Sequence, residues 1–160
     1  MIKLIKPTDD TPSLGELKIY LSNAQRDITP RWGKMSGAEM LKHCNNFINL
    51  YLGEKTAPLL IRLLARLMGK VFLKKILKSS PTDTPKNLNT LSTIKVTEQN
   101  LEFDAERLSL NESLTKIEYI GGIIKHPLYG QMYSEDVVAL IRHHTAHHFN
   151  QFGLLPNSKN

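Results

Sequence analysis

Cysteine is almost missing from this chain of 160 residues: Cys44 stands alone, so no internal disulfide can form. A lone thiol fits a reducing compartment. The opening MIKLIKPTDDTP has no apolar stretch of signal-peptide length and no small-residue cleavage site, so a cytoplasmic protein is expected. No run of about 18 apolar residues occurs, which excludes a membrane-spanning helix. Aromatic residues make up only 7% of the chain. That scarcity leaves no stacking platform beside the basic residues, and no nucleic-acid-binding motif accompanies them. Nucleic acid is therefore not an expected partner. Strand signals are nearly absent as well.

What remains is a chain of ordinary globular composition, long enough for one domain with its own core. Its net charge of +6 has a single source. Segment Ala57–Lys78 carries Arg62, Arg66, Lys70, Lys74, Lys75 and Lys78 and no acid, so the rest of the sequence is neutral.

Five helical stretches are predicted over residues 1–160, read as a single domain. Ser13 and Glu16 form a capping-box pattern, followed by Leu14, Leu17, Leu21 and Ala24 at helical spacing. Residues 28–35 form a turn with Pro30 and Gly33. A second capping box, Ser36 to Glu39, opens a helix reaching about Gly53. The third stretch is Ala57–Lys78, with Pro58 in its first turn. Residues 79–93 are polar and turn-forming, a loop. A fourth helix is expected from Thr97 to Tyr119, with Phe103, Arg107, Leu110, Leu114 and Ile117 on one face. HPLYG (residues 126–130) reads as a tight turn. Ser134 then caps a last helix running to Phe152, and Gly153 stops it.

Four of the six histidines crowd that last helix, in RHHTAHHFNQFG. With roughly 100° per residue and His144 at zero, Val137 lies near +20°, Leu140 near −40°, Ile141 near +60° and His148 near +40°. Gln151, at about −20°, shares this apolar stripe, while His143, at about −100°, faces outward and His147 lies on the flank. On the second helix His43 sits between Met40, Phe47 and Leu50 in the same way. Inward imidazoles need partners, because an unsatisfied buried polar group costs roughly 1–3 kcal/mol. A histidine pair at i, i+4 with a third from a neighbouring helix gathers metal ligands, and helix bundles commonly build sites so. The pair His143 and His147 has the same spacing, and only its place on the wheel sets it second. Cys44 points about 100° away from His43 and reads as a small buried thiol. Glu39 either closes its capping box or reaches a metal or its water. His126 reads as a turn residue with a hydrogen-bonded ring.

The histidine within KMSGAEMLKHC, taken with HTAHHFNQFG near the end, resembles the DinB/YfiT-like superfamily. The segments RWGKMS and HPLYG resemble an uncharacterised branch of it, a domain of unknown function. The resemblance implies an all-α four-helix bundle with a long crossover, here carrying the extra basic helix 57–78. It implies one divalent metal held by a histidine on the second helix and an HxxxH pair on the last. Its glutamine three residues beyond the final histidine selects His148 with Gln151, hence His43, His144 and His148 as ligands.

Three imidazoles leave a coordination position open, as catalytic zinc sites do. Zinc and nickel are the expected ions. Characterised superfamily members are thiol-dependent S-transferases and isomerases using a low-molecular-weight thiol, and others resemble hydrolases. The resemblance thus implies a metal-activated thiol or water attacking a small electrophilic molecule, with Gln151 and Glu39 as further candidates for catalytic work. Trp32, Tyr51 and Tyr129 are candidates for the pocket mouth. Superfamily members are often dimers, so a homodimer is a further expectation.

The basic helix carries a different reading, that of a non-catalytic binding protein. Arg62, Arg66, Lys70, Lys74 and Lys78 recur every four residues opposite Leu60, Leu63, Leu64, Leu67 and Val71. Such a helix docks on an anionic membrane surface or an acidic partner. The plainer reading, preferred on sequence, is a solvated face on a helix packed by its leucine side.

Overall fold

The computed structural model describes residues 7–126 and 128–156, apart from the Lys70 side chain. The first six residues, Pro127 of HPLYG and the Lys70 side chain of the basic row lie outside the described residues.

Helix α1 (Leu14–Ser22) and helix α2 (Gly37–Tyr51) both begin with a complete capping box. Ser13 accepts from the Glu16 N–H, and the Glu16 carboxylate accepts from the Ser13 N–H at 2.8 Å. Ser36 and Glu39 repeat the exchange at 3.3 and 2.7 Å. Each box satisfies backbone donors that helix geometry leaves free. α3 (Leu59–Lys78) leads into a crossover with two single turns of 3-10 helix, Pro81–Asp83 and Ser92–Ile94. α4 (Phe103–Glu118) and α5 (Ser134–Gln151) flank a hairpin of β1 (Ile123–His126) and β2 (Gly130–Tyr133).

α1, α2, α4 and α5 pack on one another around Leu17, Leu21, Met40, Ile48, Leu110, Leu114, Ile141 and Phe149, all fully buried. A polar bridge crosses the α2–α4 contact: the Asn45 amide donates to Ser109 Oγ at 2.8 Å, and Ser113 Oγ donates to Asn45 Oδ1 at 2.6 Å. A second apolar cluster, Leu50, Ala57, Ile94 and Leu128, seats the crossover on the helices.

The structure corrects the sequence reading in five places. α4 starts at Phe103 rather than Thr97, because Asn100 adopts φ 58°, a left-handed conformation that does not propagate a helix. Leu128 and Tyr129 of HPLYG lie in a turn as expected, but the segment's flanks are paired strands, with Ile124 opposite Met132 and His126 opposite Gly130. Tyr133 rather than Ser134 is the cap of α5, and no side chain closes it. His143 is only 3% exposed, since the crossover turn Pro81–Asp83 lies across the face of α5 that a helical wheel leaves to solvent. Finally, α3 is not packed by its leucine side: it buries Leu73 and Leu77, while Leu60, Leu63, Leu64 and Leu67 face outward.

Candidate metal centre

Helices α2 and α5 bring three of the six histidines together. His43 lies mid-way along α2, and His144 and His148 lie one turn apart on α5. Ring centroids are 5.0 Å apart for His43–His144, 4.6 Å for His43–His148 and 4.6 Å for His144–His148. One ring nitrogen from each lies within 4.8 Å of the others. Phe47, one turn beyond His43, stacks flat on His144 at 3.7 Å and fixes its plane.

The hydrogen bonds set the tautomers. A carbonyl oxygen can only accept, so the His43 Nδ1 that meets the Ile94 carbonyl at 3.1 Å carries the proton. Its Nε2 is left as a lone pair. On His148 the same result comes in two steps. The Gln151 Nε2 donates to the Trp32 carbonyl at 2.7 Å, which turns Oε1 toward His148. His148 Nδ1 therefore donates to Gln151 Oε1 at 2.8 Å, and its Nε2 is also bare. His144 has Nδ1 buried with no partner among the described residues. Burial, the largest cause in each case, lowers the pKa of all three rings, and their mutual repulsion lowers it further for His144 and His148.

This donor set fits a metal ion. Neutral imidazoles gathered at one point, two of them (His43 and His148) oriented through Nδ1 by a carbonyl and an amide, are the ligands that zinc-type ions take. The buried group of His43, His144 and His148 could hold such an ion.

Residues 31–33 of RWGKMS form the support behind Gln151. The Arg31 N–H donates to the Gln151 carbonyl at 2.7 Å, and Trp32 receives the amide. Gly33 has φ +85°, and a Cβ there would lie 2.7 Å from Gln151 Nε2. Only glycine suits both the backbone and the space. Sequence reasoning missed this role of Gly33 and the Ile94 carbonyl; the glycine in a turn was the one available signal.

The histidines line a cavity of about 370 Å³. Its walls include Trp32, Phe47, Tyr51, Phe72, Leu91 and Tyr129, with Thr84, Asn87 and Asn89 as polar groups. Trp32, Tyr51 and Tyr129 are thus brought to the cavity, with Tyr51 buried. Glu39 is not among the lining residues, and its carboxylate bonds the Ser36 N–H. His147 does line the cavity; its Nδ1 donates to the Pro81 carbonyl at 3.2 Å, so Nε2 is the basic nitrogen. His143 Nε2 pairs with Thr84 Oγ1 at 2.9 Å. His126 is the last residue of β1 rather than a turn residue, but its ring is hydrogen-bonded as expected, Nδ1 accepting from Leu128 N at 3.0 Å and Tyr129 N at 3.2 Å. Cys44 is fully buried beside Met40, and burial raises its pKa, so it is an inert thiol.

Fold and site together define a mostly helical protein with a buried three-histidine group able to take a metal ion. Over residues 14–154 the sequence matches the family described as Protein of unknown function (DUF1569), and the chain belongs to that family. No curated protein matches the chain, and no solved structure does.

Proposed function

We propose that the chain binds one divalent ion, zinc or nickel, through His43, His144 and His148, and uses it to drive attack of a thiol or water on a small electrophilic molecule. One observation carries the reading: three ring nitrogens within 4.8 Å of one another border a cavity of about 370 Å³ with largely aromatic and aliphatic walls. In this reading the core helices are a bundle of the DinB/YfiT kind, which the crossover, the HxxxH pair and Gln151 all suit.

His43, His144 and His148 would hold the divalent ion, which would supply a lowered pKa to a thiol or water bound to it. The chain's own residues do the rest. Gln151 holds the His148 tautomer, and the Ile94 carbonyl holds that of His43. No carboxylate among the described residues lines the cavity, so we assign the nucleophile's proton to His147 Nε2, the basic nitrogen of a ring that borders it. The mainly apolar walls exclude water and favour a compact substrate.

The test is metal content by mass spectrometry on tag-free protein after reconstitution with zinc or nickel. Wild type is expected to retain close to one ion per chain and His148→Ala to lose it. Equal metal in both proteins, or none in either, would make the histidines a polar feature of the core. Retained metal then justifies screening thiol-transfer and hydrolysis reactions.

A further inference from the structure

Among the described residues, helix α3 is the element whose apolar face the fold leaves uncovered. Leu60 is 69% exposed, Leu67 80%, Met68 71% and Val71 75%, with Leu59, Leu63, Leu64 and Phe72 at least half exposed. At about 100° per residue, Leu60, Leu64, Leu67 and Val71 fall within an arc of roughly 60°. The opposite side is what the body holds. Gly69 and Leu73 are buried there, and a Cβ on Gly69 would lie 2.3 Å from the Tyr129 ring. Missing glycine side-chain atoms let the helix lie flat on the molecule with its leucines turned away.

The lysines at the helix's carboxyl end do not stand opposite this ridge, as the sequence reading had them, but share its side. α3 contains no acid, and Lys74, Lys75 and Lys78 lie near its carboxyl end on the outward half of the wheel, with Arg66 exposed at one flank. Among the described residues none of these four forms an ion pair. An apolar patch of this extent on a soluble surface marks an interaction site.

We propose that α3 docks in the plane of an anionic lipid bilayer, its leucine ridge entering the headgroup–acyl boundary and its lysines resting on acidic headgroups. Two features select this occupant. A second copy of the chain would set one acid-free, lysine-bearing helix against another, whereas an anionic surface supplies the missing countercharge. The ridge's side chains also stand well out into solvent, and a deformable bilayer accepts them without a matching groove. The helix lies on the surface and does not cross it: no helix among the described residues is long and apolar enough to span. This inference is independent of the metal reading.

Cosedimentation with vesicles tests it, using equal parts phosphatidylcholine and phosphatidylserine against phosphatidylcholine alone. Wild type is expected to bind the mixed vesicles, to release in high salt, and to leave the neutral ones unbound. The triple variant K74Q/K75Q/K78Q should lower the partition coefficient by about 100-fold, from roughly fivefold per lysine. Leu64→Gln with Leu67→Gln should lower it at least about tenfold, while circular dichroism shows an unchanged helix content. Binding that ignores lipid charge, or absence of binding to either vesicle, would overturn the proposal. So would self-association that the two leucine substitutions abolish without any vesicle binding, which would give the ridge to a second copy.

Discussion

Gln151 shows how much one side chain can decide here. Its amide is held by the Trp32 carbonyl, so its oxygen must face His148 and fix which imidazole nitrogen stays bare. Nothing else among the described hydrogen bonds orients that ring. Gln151→Ala is therefore expected to weaken zinc binding by about 10–100-fold, the usual cost of losing a group that orients a ligand. Its backbone bond from Arg31 remains, so the helix end keeps its anchor. Competition with a chromophoric chelator would measure the affinity. An affinity equal to wild type would show that packing alone orients His148, and would remove Gln151 from the site.

At the scale of the element, the hairpin depends on His126, which is 2% exposed and accepts two N–H donors of its own turn on Nδ1. Burial takes this ring from an ordinary pKa of 6.5 to about 3. The unfolded chain then binds a proton that the folded chain refuses, so stability should fall as pH drops below about 6.5 and keep falling toward about 3. His143, taken to about 4 by burial and by its neighbour His147, adds a slope of the same sign. His126→Asn keeps an acceptor but cannot titrate. Urea midpoints of metal-free protein between neutral and acid pH should fall less steeply in that variant than in wild type. Parallel slopes would mean the His126 proton plays no part. The elements differ in how far the sequence reveals them, for physical reasons. Ser13–Glu16 and Ser36–Glu39 are local exchanges between residues three apart, readable without knowing what packs on them. The inward set of His43, His144 and His148 was legible too, since a polar group inside an apolar stripe needs a partner. The strands around HPLYG escaped because four residues apiece give too little alternation to register. His143 and the leucines of α3 escaped for a shared reason: periodicity shows which side of a helix is apolar, not what covers it. The crossover covers His143, and nothing among the described residues covers Leu60 or Leu67.

Over the whole molecule, the site is a joint between α2 and α5, set beside a core that does not depend on it. Leu17, Leu41, Ile48, Leu110, Ile141 and Phe149 are buried without reference to the histidines. A chain of this length buries about two-thirds of its unfolded surface, so the metal-free protein should remain folded, unlike a zinc finger. An ion would still add stability, because the unfolded chain does not bring His43 to the α5 pair. At free zinc about 100-fold above the dissociation constant, the gain is about 2.7 kcal/mol. For a protein of this size that raises the melting temperature by roughly 5–10 °C. Differential scanning fluorimetry with zinc and then with excess chelator would read the shift. It should reverse with the chelator and be absent in His43→Ala, whose helix contributes a single ligand. A shift of equal size in His43→Ala would mean that zinc binds elsewhere, with the flanking pair His143 and His147 the first alternative on α5. No shift in either protein would leave α2 and α5 joined by packing alone, and the bare Nε2 of His43 and His148 would then need another partner from the cavity.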